Sequence, residues 1–167
     1  MLCKSDPIFV SSSGYEREGV LSACKQVRQE ALKIYYYENK FDIEVHKWNS
    51  DNLLGFTRIT LRLGLKWTKY SAPNGEHVKV DTVLTSLDPC WASLLTWMRR
   101  VHSKHLRGNF PLPKDDTQNP VPLKVAVMCT MRLATFKLRG QPWSLVERVL
   151  HGHRGLLGLR DPRWLDN

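Results

Sequence analysis

The sequence predicts an α/β (or α+β) protein, a single two-layer sandwich with a mixed sheet and helices mainly on one face. Helix-like and strand-like hydrophobic periodicities are interleaved along the chain. The strand-like segments carry apolar residues on alternate positions only, so one sheet face needs a cover and the other is partly wet. At 167 residues the chain is long enough to bury one sizeable core. Its 42% hydrophobic and 25% charged composition excludes collagen-like, low-complexity and wholly disordered classes. No apolar run approaches the roughly 20 residues of a membrane-spanning helix.

Residues 1–15 read as a flexible lead-in, punctuated by Ser11-Ser12-Ser13-Gly14. From Glu16 to Glu38 a helix is expected, with Val20, Cys24, Val27, Ala31, Ile34 and Tyr35 as its apolar stripe and Asn39 as a left-handed C-cap. Arg28 falls at the edge of that stripe, where a guanidinium needs a partner such as Glu38 or Glu44. Phe41, Ile43 and Val45 alternate with polar residues and predict a strand. Ser50 or Asp51 can cap a short helix carrying Leu53, Leu54 and Phe56. Ile59, Leu61, Leu63, Leu65 and Trp67 then alternate with Thr60, Arg62, Gly64 and Lys66, which predicts a second strand. On that reading a Leu61→Asp change buries an unpaired carboxylate and disrupts the fold.

Ser71–Gly75 is a turn by composition, and Val78, Val80, Thr82 and Leu84 are in phase for a strand. Asp88-Pro89 opens a helix to about Leu106, with Trp91, Leu94, Leu95, Met98 and Val101 facing inward. Four prolines make residues 108–122 a long loop. Alternation at Leu123, Val125, Val127 and Cys129 predicts a further strand, and a helix covers Pro142–Leu150. Residues 16–150 are thus one domain, followed by a basic tail at 151–167.

Candidate chemistry is sparse. Cys3, Cys24, Cys90 and Cys129 lie far apart with no C-x-x-C, which argues against a zinc site or a disulfide framework. His102 and His105 have a metal-compatible spacing, but no Asp or Glu in that turn completes a ligand set. Asp115-Asp116 is a loop pair, whereas acid–base work needs carboxylates in different, rigid environments. No nucleophile elbow, phosphate loop, dinucleotide fingerprint or zincin motif occurs. The expectation is a non-enzyme without a cofactor or metal. Without a secretory h-region or sequon, an intracellular setting is expected, cytoplasmic or nuclear.

Charge is the stronger signal. The chain carries 25 Lys and Arg against 16 Asp and Glu, a net +9. Residues 89–167 hold 13 of the basic residues and only 5 of the acidic ones. Counted from Trp91, Arg100, Lys104 and Arg107 lie near 180°, 220° and about 160°, opposite the apolar stripe. Arg99 flanks that ridge and Trp97 borders it, so these five residues are the candidate contact set for a partner protein or a polyanion.

The segment Leu21–Phe41 contains Cys24-Lys25-Gln26-Val27-Arg28-Gln29-Glu30-Ala31-Leu32, followed by Ile34-Tyr35-Tyr36 and Asn39-Lys40-Phe41. It resembles a large, mostly uncharacterised filamentous-fungal family with the pattern C-[KR]-Q-[IV]-R-x-E-A-L-x-[IL]-[FY]-Y-x-x-N-x-F, in which a helix feeds a strand. Members often carry an F-box-like segment upstream, and the 20 residues before this match contain none. The resemblance implies an F-box-associated type of interaction protein with no catalytic residues to carry over. The expected function is therefore a non-catalytic protein-interaction module, with nucleic-acid or polyanion binding through the basic half as the alternative.

Overall fold

The computed structural model describes residues 4–15, 19, 24–65, 67–68, 78–86, 88–106 and 121–166. The chain forms two compact units, one of Met1–Val45 with Asp51–Val83, the other of His46–Ser50 with Leu84–Asn167. The boundaries do not coincide with the proline-rich segment, whose residues 108–120 lie outside the described residues, as does the turn expected at 71–75.

The first unit is α/β. It comprises β1 (Ile8–Val10), α1 (Lys25–Glu38), β2 (Lys40–His46), α2 (Asp51–Arg62), β3 (Trp67–Thr68) and β4 (Val78–Ser86), less His46 of β2 and Leu84–Ser86 of β4, with sheet order β1-β2-β4-β3. β1 runs parallel to β2, with Ile8 opposite Phe41, and β3 runs parallel to β4, with Trp67 opposite Val78. The sheet is thus parallel, not mixed. The connection between β1 and β2 passes through α1, and such a helical crossover returns the chain in the same direction.

β1 also corrects the expectation of a flexible lead-in. Ile8 and Val10 are buried, and Lys4 N–H donates to Asn39 Oδ1 at 2.7 Å. Asn39 Nδ2 in turn donates to Tyr35 O at 2.7 Å. Asn39 therefore ends α1 through its side chain. Its backbone is extended (φ −96°, ψ 157°), not left-handed as expected. A strand of only three residues has too short a pattern to stand out in the sequence.

β2 forms as expected, with Phe41, Ile43 and Val45 fully buried. Phe41 packs against Tyr35 and Tyr36 of α1 and Phe56 of α2, with ring centroids 5.0–5.8 Å apart. Both helices therefore cover the sheet face that Phe41 presents. Tyr15 joins the cluster at Phe41 and Phe56, and its hydroxyl bonds that of Tyr36. The buried side of α1 is Ala31, Tyr35 and Tyr36, whereas Cys24, Val27, Arg28 and Ile34 of the expected stripe face solvent. Arg28 is consequently no buried pin.

The strand expected at Ile59–Trp67 is mostly helix. α2 continues to Arg62 and buries Leu53, Phe56, Thr57 and Thr60, the i, i+3, i+4, i+7 set of one helical face. Thr57 Oγ1 donates to Leu53 O at 2.7 Å and Thr60 Oγ1 to Phe56 O at 3.0 Å. With their hydroxyls satisfied on their own helix, the threonines behave as core residues. Gly64 then stops the helix at φ +67°, with Gly64 N–H bonded to Leu61 O and Leu65 N–H to Thr60 O, a Schellman ending. Leu61 is 50% exposed. β4 matches its expected span, with Val78, Val80 and Thr82 buried.

The second unit is helical: α3 (Trp91–His102), α4 (Val121–Arg132), a π-helical turn (Leu133–Lys137), α5 (Trp143–Gly158) and a 3₁₀ turn (Pro162–Leu165). α4 replaces the strand expected at Leu123–Cys129. Val127, Thr130 and Met131 are buried on it and Ala134 on the π-helical turn that follows, again at helical spacing, and Thr130 Oγ1 donates to Ala126 O at 2.9 Å. Cys129 is exposed. α5 starts where expected and runs a further two turns through Gly158, so the segment 151–167 is not a tail. Trp164, in the 3₁₀ turn, is fully buried. Gly158 lies where that turn returns over α5, and a Cβ there would fall 2.6 Å from Leu165 Cγ.

Residues 46–50 belong to this unit. Lys47 and Trp48 both adopt positive φ (46° and 63°), closed by Asn49 N–H donating to His46 O at 2.8 Å. Left-handed backbone at two consecutive non-glycine residues costs about 1–3 kcal/mol each unless the surroundings over-determine it. Here Trp48 is buried against Trp164, 6.0 Å between centroids, and Lys47 Nζ lies 3.7 Å from Asp88 Oδ2.

Candidate docking face of the helical unit

The five expected contact residues meet different fates. α3 buries Trp91, Leu94, Trp97, Met98 and Val101, an arc centred further round than the expected stripe. Trp97 is inside that arc and presents no face for stacking on a partner. Arg99 is exposed, its guanidinium carbon 5.9 Å from the centroid of the Trp143 ring. Arg100 is half-buried and donates from Nη1 to Ser50 Oγ at 2.9 Å. Lys104 is exposed at φ 62° just past the helix end. Arg107 lies outside the described residues. Arg99 and Lys104 are therefore what the described part of the ridge offers to solvent.

Asp88, the expected N-cap of α3, sits two residues before the actual cap, Cys90. Its carboxylate instead accepts from Ser86 Oγ at 3.0 Å and lies 3.7 Å from both Lys47 Nζ and Arg163 Nη1.

A reciprocal arrangement joins α3 and α5. Each helix begins with a tryptophan, and each carries an Arg and a His eight and eleven residues later: Arg99 and His102 after Trp91, His151 and Arg154 after Trp143. His102 lies 5.6 Å from the Trp143 ring, and Arg99 is over the same ring. His151 lies 5.7 Å from the Trp91 ring, and Arg154 is 5.9 Å from it. The start of each helix is thus held by the later turns of the other. Arg–ring contacts of this kind stabilise by about 0.5–1 kcal/mol where partly exposed. The indole N–H groups of Trp91 and Trp143 and Nε2 of His102 are buried without a hydrogen-bond partner among the described residues. No motif search would find this device, but the repeated Trp-x7-basic-x2-basic spacing was visible in the chain.

These contacts also assign the histidines. His102 is committed to Trp143, and His105 Nδ1 lies 3.0 Å from Ser103 Oγ. Among the described residues no group of three or more His, Cys, Asp or Glu could hold a metal ion. No described helix is long and apolar enough to cross a membrane.

Arg154 does a second job. Its Nε donates to Trp164 O at 2.8 Å and its Nη2 to Leu165 O at 2.9 Å, so it ties the carbonyls of the 3₁₀ turn to α5. At the other end of that turn, Asp161 accepts from Arg163 N–H at 3.1 Å and pairs with the Arg163 guanidinium at 2.8 Å. The side-chain hydrogen bond from Arg163 holds the Asp161 carboxyl below the usual carboxylate range. A depressed folded-state value stabilises the fold above the unfolded-state value, and that contribution is lost as pH falls through the folded one. Asp161→Ala is therefore expected to lower stability by about 1 kcal/mol at pH 7, the usual worth of an N-cap. The gap between variant and wild type should narrow as pH drops below about 4. Urea unfolding at pH 7 and pH 3 checks this, and an undiminished gap at pH 3 would contradict the assignment.

Charge follows the division into units. The α/β unit holds 11 Lys and Arg against 10 Asp and Glu, whereas the helical unit holds 14 against 6, a net +8. On that basic unit, Leu145 and Leu156 of α5 and Leu159 at its C-cap are exposed. The spacing ends this helix at Leu150, so Leu156 and Leu159 fall in the expected tail. No family model, curated protein or solved structure matches the chain.

Proposed function

We propose that the protein is a non-catalytic interaction module that docks a partner protein through its basic helical unit. The observation that carries this reading is the run of exposed leucines on α5, set in a unit of net +8. Large apolar side chains left in water along one helix mark a contact surface. The resemblance of Cys24–Phe41 to the fungal F-box-associated family supports the same class of function, in an intracellular setting. A photo-crosslinking residue placed at position 159, with one at exposed Lys33 as control, tests it in cells expressing the protein. Discrete protein adducts at 159 and none at 33 are expected. Nuclease-sensitive adducts in their place would overturn it.

The charge segregation favours a second reading, polyanion binding through Arg99 and Lys104. Its signature is RNA affinity that falls steeply with salt and is weakened by Arg99→Glu and Lys104→Glu.

A further inference from the structure

α5 has two apolar faces, and the described residues cover one. Val146, Leu150 and Leu157 are buried in the unit's core. About 120° round the helix from them, Leu145, Val149, Gly152, Leu156 and Leu159 recur at steps of four, three, four and three residues. That is the spacing of a coiled-coil seam. Leu145 is 40%, Leu156 55% and Leu159 82% exposed. Gly152 and Gly155 leave open space, since a Cβ at either meets nothing within 4 Å. Glycine inside a helix weakens it, and no described residue uses the room these two leave.

The flanks of the row are basic. At about 100° per residue, Arg148 borders one side and Arg160 and His153 the other, while Glu147, the helix's one carboxylate, projects away from the row. Arg148 and Arg160 are both exposed. We propose that this row docks an acidic amphipathic helix of another protein, with large apolar residues at four-three spacing against the leucines and Asp or Glu on its flanks against Arg148 and Arg160. This rests on the interaction-module reading and supplies the partner's chemistry. Charge decides against a second copy of the chain, because in any self-pairing of the row both flanks bring basic residues against basic residues. The notch at Gly152 lets the partner backbone approach closely at the middle of the row.

The test is a fluorescence-anisotropy titration of the intact chain with a labelled synthetic peptide about three heptads long, leucines at four-three spacing and glutamates on the flanks. It should bind at least about tenfold more tightly than the same peptide with lysine flanks. Leu156→Ser with Leu159→Ser should weaken it at least about tenfold, and Arg148→Glu with Arg160→Glu should reverse the preference. Gly152→Leu should also weaken binding without lowering the thermal midpoint, since the added side chain has free space. Equal affinity for the two peptides, indifference to the leucine changes, or self-association through Leu159 in sedimentation equilibrium would each overturn the proposal. Loss of peptide selectivity with protein adducts retained at position 159 removes the acidic-helix assignment alone. Loss of both removes the interaction reading as well.

Discussion

Trp164→Ala is expected to unfold the helical unit. The ring is fully buried and lies 6.0 Å from Trp48, so truncation leaves a large cavity beside a second indole. Large-to-small changes at such aromatic positions cost about 3–5 kcal/mol, against a total stability of about 5–15 kcal/mol for a domain. The loss also loosens the carbonyls that Arg154 holds at Trp164 and Leu165, and with them the contact of Arg154 on Trp91. Urea unfolding followed by near-UV circular dichroism reads the effect directly. Leu159→Ala, at a side chain 82% exposed, is the control and should change stability little. A Trp164→Ala protein with an unchanged midpoint would mean that the C-terminal turn contributes nothing to the core.

The second large effect separates two neighbouring residues of α2. Phe56→Ala removes a ring that meets Tyr15, Tyr36 and Phe41, with an expected cost of about 3–5 kcal/mol. Leu61→Asp, five residues on, places a carboxylate in water and should stay within about 0.5 kcal/mol of wild type. Were this stretch the alternating strand its pattern suggests, Leu61→Asp would be the disruptive change. Thermal unfolding of the two variants side by side decides between helix and strand.

That contrast explains what could be read from the chain and what could not. β2 and β4 were legible because their inward residues, Phe41-Ile43-Val45 and Val78-Val80, are apolar and their outward ones polar. α2 and α4 were misread for a shared reason: Thr57, Thr60 and Thr130 are core residues that satisfy their hydroxyls on carbonyls one turn back. Scored as polar, they break the helical stripe and leave a false alternation among the surrounding leucines and valines. Gly64 was the available correction, since a glycine after Arg62 suits a helix end better than a strand interior. At α3 the error was one of arc width: Trp97 counted as a border residue, yet the helix buries from Trp91 round to Trp97. Arg100 could not be placed from sequence at all, because its partner Ser50 is fifty residues away.

The tight turn at Lys47-Trp48 has a consequence for synthesis on the ribosome. Trp48 emerges early, but the ring that covers it belongs to Trp164, more than a hundred residues later. At typical elongation speeds that interval is on the order of ten seconds. Throughout it, the Trp48 indole lacks the ring that covers it in the folded unit, and the turn lacks what holds its backbone at positive φ. A nascent chain stalled short of Trp164 therefore leaves Trp48 without its covering ring until translation resumes.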